Sequence, residues 1–252
     1  MEIMRSSLFY LLLFLLFHLT SCEDKPVPVV KTPKIATTTV EDNYYNKYNA
    51  VKIGTLYWFK ENLRGNIYSK YLKLPSGYEV SDTINPIRPY DVSIAYTMLV
   101  PVDTLAAQWP FNGKDTEIKK YGRMYTWYAA SDERNVCPRG WHVPSETEWD
   151  NMIKLFGGDS LAGAKLKDTS NIEWNSPNVA EYNEYKFNAK ATGYRTEFGS
   201  YINQGKFAFF WSSTADPDDV NNGIAYALYA QGSKVYKVKK SKRVGMAIRC
   251  VR

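Results

Sequence analysis

A chain of 252 residues, 44% of them apolar, with a formal charge of +6, has an ordinary globular composition and is long enough for one large domain or two small ones. Its longest apolar run, residues 8–19, is broken only by His18 and falls short of the roughly 20 residues a membrane-crossing helix needs, which excludes a stable span there. With Arg5 ahead of it the run reads as an export signal, so the positive balance does not point to nucleic acid as a partner.

The run closes in Leu19-Thr20-Ser21-Cys22, which reads as a lipobox: residues 1–21 form a lipoprotein signal peptide and Cys22 becomes the lipidated N-terminus. Several acyl chains on Cys22 would hold the protein firmly on a membrane, where one chain is marginal. An ordinary cleaved signal with Cys22 merely nearby is the alternative. Losing residues 1–21 removes Glu2 and Arg5, so the mature chain keeps its charge. Residues 22–43, rich in Pro, Val, Thr and Lys without helical or strand period, read as the lipidated cysteine and a flexible spacer. Glu23-Asp24-Lys25 resembles the surface-export signals of Bacteroidota lipoproteins, and also suits simple solvation of a tether.

The folded domain is expected over residues 44–252. Residues 51–59 surround Gly54 with strand formers and predict a hairpin or bent strand. Residues 75–117 are punctuated by Pro, Gly, Asp and Asn and predict loops, with one short strand over 93–100. Residues 121–130 stay ambiguous. The plainest element follows Pro144: Ser145-Glu146-Thr147-Glu148 is a capping box, and Trp149, Met152, Ile153 and Phe156 fall on one helical face before Gly157-Gly158. A second short helix is expected from Asp159, weakened by Gly163. Strands are expected over 207–214, 223–230, 234–240 and 245–251, with Gln231-Gly232-Ser233 as a hairpin loop. The layout is α+β.

With Cys22 lipidated, Cys137 and Cys250 remain as a pair in an oxidising compartment and are expected to form a disulfide; two buried thiols are the alternative. Tyrosine, present 20 times, makes good binding surfaces and is equally common in exported β-rich proteins without a ligand. The end of the chain is basic: Lys234, Lys237, Lys239, Lys240, Lys242, Arg243, Arg249 and Arg252 occur without an acid among them. Such a stretch suits an anionic glycan or lipid headgroup, or a solvated strand edge whose lysines discourage edge pairing.

Several segments occur together in order: Val51-Lys52-Ile53-Gly54, Glu61-Asn62-Leu63-Arg64, Tyr121-Gly122-Arg123-Met124-Tyr125-Thr126-Trp127, Cys137-Pro138-Arg139-Gly140-Trp141-His142-Val143-Pro144-Ser145 with Glu148-Trp149, Gly193-Tyr194-Arg195, Trp211-Ser212-Ser213 and Ile248-Arg249-Cys250-Val251. This series resembles the Fibrobacter succinogenes major paralogous domain of Bacteroidota and Fibrobacterota surface lipoproteins, over roughly residues 48–252. The resemblance implies a C-type-lectin-like α+β domain, here with two helices and antiparallel strands, related to the formylglycine-generating branch. It ties no activity to the family. The chain departs from the pattern at 82–118 and at Ala247, where the family often has serine.

Formylglycine chemistry needs reactive cysteines, and a structural disulfide would consume both. His142 is the one histidine after the signal, so a nucleophile–base scheme lacks parts and no enzyme is expected. Asp216, Asp218, Asp219, Asn221 and Asn222 form the one dense cluster of oxygen ligands, which a calcium ion would use and which is also plain turn chemistry. Trp109 and Phe111, at the tip Trp109-Pro110-Phe111, and Tyr44, Tyr45 and Tyr48 are the aromatics that could stack on sugars. The expected protein is an outer-membrane lipoprotein, exposed on the cell surface or facing the periplasm, that binds a glycan or a protein without catalysis; a structural envelope or adhesion-assembly component is the alternative.

Overall fold

The computed structural model describes residues 35–66, 68, 69, 106–170, 173–180, 183 and 185–252, and the backbone of 85 and 86. The signal, Cys22 and the strand expected over 93–100 lie outside them. Residues from Ile35 to Arg252 form one compact unit. It therefore starts within the stretch read as spacer, because Thr37–Glu41 is a strand, β1.

β1 pairs antiparallel with β2 (Lys47–Ile53), which turns at Gly54 into β3 (Leu56–Phe59). Gly54 has φ 64°, a conformation that glycine adopts without steric penalty, and the hairpin expected there is present. β4 (Asn85–Pro86) runs parallel to β5 (Ala107–Pro110), which pairs antiparallel with β6 (Arg123–Tyr125). Two one-turn helices flank β6: α1 (Ile118–Tyr121) and α2 (Trp127–Ala130). Then come α3 (Glu146–Leu155), α4 (Asp159–Leu166), the short pair β7 (Tyr194–Arg195) and β8 (Tyr201–Ile202), and the sheet of β9 (Phe207–Ala215), β10 (Asn222–Tyr229) and β11 (Val235–Ser241) in the order β11-β10-β9.

The α+β class stands, but the two-helix, lectin-like arrangement does not. Among the described residues there are four α-helical segments and four separate open sheets. The two unexpected helices are four residues each, too short to show a 3.6-residue period in sequence. α2 is started by Thr126, whose hydroxyl accepts from the Ala129 amide.

The core sits on both faces of β9 and β10. Phe209, Trp211, Ala225 and Ala227 enter one apolar cluster with the disulfide. Their neighbours Ala208, Phe210, Ile224, Tyr226 and Leu228 enter a second with Trp149, Met152 and Ile153 of α3. Alternate strand residues point to opposite faces, so a sheet covered on both sides reads as a nearly continuous apolar run. Trp149 anchors α3 by stacking on Tyr226 with ring centroids 5.0 Å apart. Gly163, a weakness in sequence, is required by packing: a Cβ there would lie 2.6 Å from the Ser233 carbonyl oxygen.

The strand expected over 245–251 becomes a seam of single bridges. Met246 meets Tyr125, Ala247 meets Phe210, and Val251 meets both Trp58 and His142. This segment joins β3, β6, β9 and the loop before α3. No helix among the described residues is long and apolar enough to cross a membrane.

Candidate functional site

The longest motif, residues 137–149, builds a corner beside the disulfide. Cys137 and Cys250 are bonded, with Cα atoms 5.9 Å apart and both residues fully buried. The chain turns through Gly140 (φ 82°), and the Trp141 amide donates to the Pro138 carbonyl at 2.9 Å. Trp141 packs against Phe59 (4.9 Å between ring centroids), with the Arg252 guanidinium 5.3 Å from its ring. His142 exchanges both backbone hydrogen bonds with Val251, which aims its side chain outward.

Ser145 and Glu148 complete the expected capping box on α3. Glu148 Oε2 accepts from the Ser145 amide at 2.8 Å and from its hydroxyl at 2.9 Å, while Oε1 lies 2.8 Å from His142 Nε2. Burial works against the Glu148 carboxylate, but the hydrogen bonds from His142 and Ser145 outweigh it and hold its pKa below the ordinary value. In a serine hydrolase the imidazole stands between hydroxyl and carboxylate; here the carboxylate stands between hydroxyl and imidazole. The arrangement caps α3.

This network yields a prediction with a sign. Glu148→Ala is expected to cost about 1 kcal/mol at pH 7, the usual worth of a cap. Glu148 has a lowered folded pKa, so its contribution is present above the unfolded value, about 4.3, and is lost as pH falls through the folded one. Denaturation of wild type and variant at pH 7 and pH 3 checks it; an equal gap at both would refute the role.

An open cleft of about 370 Å³ adjoins the motif, lined by Asp132, Glu133, Asn135, Trp141, His142 and Ser213 among others. Asp132 is held by Arg134 through Nε at 2.9 Å and Nη2 at 2.6 Å. Asn135 donates to the Trp141 carbonyl and accepts from the Cys137 amide. Glu133 and His142 are the exposed polar side chains of this cleft's acidic rim.

Other residues singled out from sequence are placed differently. Trp109 is 3% exposed, with the Arg195 guanidinium 4.0 Å from its ring, and Phe111 is 9% exposed against Tyr121. Neither ring offers a free face to a sugar, because the tip read as a loop is strand β5 and its continuation. Tyr48 is buried on Phe59, while Tyr44 and Tyr45 stay exposed at the β1–β2 turn.

The oxygen-rich cluster, read as turn chemistry or as ligands a calcium ion would use, is bonded within the protein itself. Asp216 Oδ1 lies 2.8 Å from Lys239 Nζ, and Asp218 pairs with the same ammonium. Those bonds lower the Asp216 pKa and raise that of Lys239. Asp219 accepts from the Asn221 amide and from the Asn222 side chain, closing the turn before β10. Asp216 and Asp218 thus already share one lysine ammonium, and among the described residues no group of three His, Cys, Asp or Glu side chains is arranged to hold a metal.

The basic end is likewise laced down. Lys237 bridges Glu146 and Asp150, Lys234 meets Asp159, and Lys242 donates to the Val220 carbonyl over the Trp127 ring. Sequence reading did not anticipate the burial of two cations. Lys167 donates to the carbonyls of Tyr229, Ala230 and Gly232, and burial pushes its ammonium down to about 8. Arg249 is fully buried among carbonyls. Neither has a local signature, since its acceptors come from distant segments.

The fold and corner motif define an α+β domain with a sheet buried on both faces and a disulfide locking its last segment to the loop before α3. The chain matches the Fibrobacter succinogenes major domain over residues 51–252, and it belongs to that family. No curated protein and no solved structure matches it.

Proposed function

We propose that this chain is a lipid-anchored envelope protein, placed on the outer membrane and exposed at the cell surface, whose domain binds a glycan or protein partner without catalysing a reaction. The observation that carries the reading is how the reactive groups are used. Both cysteines of the domain are joined to each other. The imidazole of His142 rests on Glu148, whose other oxygen is held by Ser145. The disulfide fits an exported protein, as do the apolar run and Cys22. What remains open on the domain is concave surface suited to recognition, the motif cleft and a larger cavity beside α3.

Two measurements test it. Cys22→Ala is expected to move the protein out of the membrane fraction and leave it incompletely processed; unchanged membrane attachment and processing would refute the anchor. The purified full chain is expected to give saturable binding on a glycan array, or to a defined envelope protein, without consuming what it binds. Turnover of a bound glycan, or no saturable binding to either class, would refute the binding-module reading.

A further inference from the structure

The described domain begins at an apolar corner. The Lys52 amide donates to the Ala36 carbonyl at 2.8 Å, and β1 continues that pairing, so Ile35 stands beside the Gly54 turn, partly buried against the second core cluster. Leu155, the last residue of α3, lies over the same turn: a Cβ on Gly54 would come within 2.7 Å of its Cδ1. The chain leaves α3 through Gly157 and Gly158, both at positive φ, and Leu161 packs back on Gly157, its Cδ1 3.3 Å from where a Cβ would stand. Leu155 is 62% exposed and Leu161 49%. Gly54 and Gly157 are themselves exposed and bring no side chain to cover either leucine.

Two leucines are too few for a stable protein–protein interface, which takes some 20–30 residues a side. What singles out an occupant is where the chain enters. Ile35 lies 13 residues after Cys22, and that length of chain, fully extended, spans at most about 45 Å. With Cys22 lipidated, so short a connection keeps this corner near the bilayer at high effective concentration, and a weak apolar contact is then enough. The exposed rim, Lys52, Lys154, Asp159 and Ser160, is polar and mixed in charge, which suits the headgroup level and leaves the leucines to carry the contact.

We propose that Leu155 and Leu161 form a membrane-docking corner that inserts among the headgroups of the bilayer holding the Cys22 anchor. The domain then rests on the membrane through the Gly54 end of its first hairpin. The exposed Tyr44, at the other end of β2 and about 23 Å away along its seven residues, stands clear of the lipid. The inference rests on the lipid-anchored reading and assigns the side of the domain that faces the membrane.

The test uses the mature full chain in vesicles of phosphatidylethanolamine and phosphatidylglycerol, with mass spectrometry of Cys22 and a fluorophore on Thr55→Cys or, separately, on Tyr44→Cys, both exposed positions. Spin-labelled lipids are expected to quench the label at 55 and spare the label at 44. Adding Leu155→Gln and Leu161→Gln should lower the ratio of docked to undocked domain about tenfold, with the protein still in the vesicles and its melting temperature unchanged. High salt should leave the quenching in place, because apolar contact carries it. Equal quenching at the two positions, quenching indifferent to the leucine variants, or quenching lost in salt would overturn the docking corner. Shielding of the label at 55 that follows protein density instead of lipid quenching would assign the corner to a second copy and overturn it too. In each of these cases an acylated Cys22 leaves the anchor standing. If Cys22 carries no acyl chain, anchor and docking corner fall together.

Discussion

Removing the disulfide as the double variant C137S/C250S is expected to cost about 2–5 kcal/mol of folding stability, the usual range for a native bridge. The bridge spans 113 residues of sequence, and loops of that size give the larger values in the chain-entropy model. Position adds to length. Cys250 lies in the bridging segment: its carbonyl accepts from the Phe59 amide at 3.0 Å, and its neighbour Val251 pairs with His142. Without the bond, the last segment is held by single bridges to five different residues, Arg195, Tyr125, Phe210, Trp58 and His142, rather than by one ladder. Urea denaturation of oxidised wild type, reduced wild type and the double variant checks this. The two reduced forms should agree, and a variant within 1 kcal/mol of the oxidised protein, taken here as roughly the low end for such a bridge, would show that the seam holds itself.

Arg249→Met is expected to lose about 3–4 kcal/mol, since hydrogen bonds from a charged donor contribute about 1.5–3 kcal/mol each and not all of that is recovered as reduced desolvation. Arg249 Nε donates to Asn62 Oδ1 at 2.7 Å, Nη1 to the carbonyls of Phe59 at 3.0 Å and Phe187 at 2.7 Å, and Nη2 to the Asn188 carbonyl at 3.2 Å. The guanidinium also lies 4.6 Å from the Phe187 ring centroid and 5.4 Å from that of Phe210. Burial lowers its pKa to about 9, so it remains charged at neutral pH. One residue thus ties the end of β3 to a loop in which Lys186 and Asn188 both have positive φ. Arg249→Lys keeps the charge but not the planar fork that reaches several carbonyls at once, so it should recover only part of the loss. Full stability in the lysine variant would show that charge alone suffices.

How much of this was legible in sequence depended on the range of the interaction. α3 was readable because its cap, Ser145 with Glu148, and its face, Trp149 to Phe156, lie within one short window. The hairpin at Gly54 was readable for the same reason. β9 and β10 were readable as strands, although burial on both faces hid which side was which. The one-turn helices α1 and α2 were not, because four residues carry no period.

The candidate site shows the same division more sharply. Asp216, Asp218 and Asp219 form a cluster of carboxylates in sequence, and sequence cannot show that Lys239, from the neighbouring strand, has already taken up two of them. Trp109 and Phe111 look like an exposed tip until β5 is seen paired on both sides and covered by Arg195 and Tyr121. The cavity beside α3 is assembled from residues about 80 positions apart and has no sequence signature at all.

By itself the amino-acid sequence determined the family, the pairing of Cys137 with Cys250 and the capped helix that follows the corner motif. Each of these depends on local spacing or on the arithmetic of two remaining cysteines. Only the tertiary structure decided that the described residues hold four short or moderate α-helices and four open sheets, that the last segment is a seam rather than a strand, and that Lys167 and Arg249 are buried on carbonyls. Those outcomes depend on groups that meet across tens to hundreds of residues, where the free energy of a contact is set by geometry and desolvation rather than by residue type.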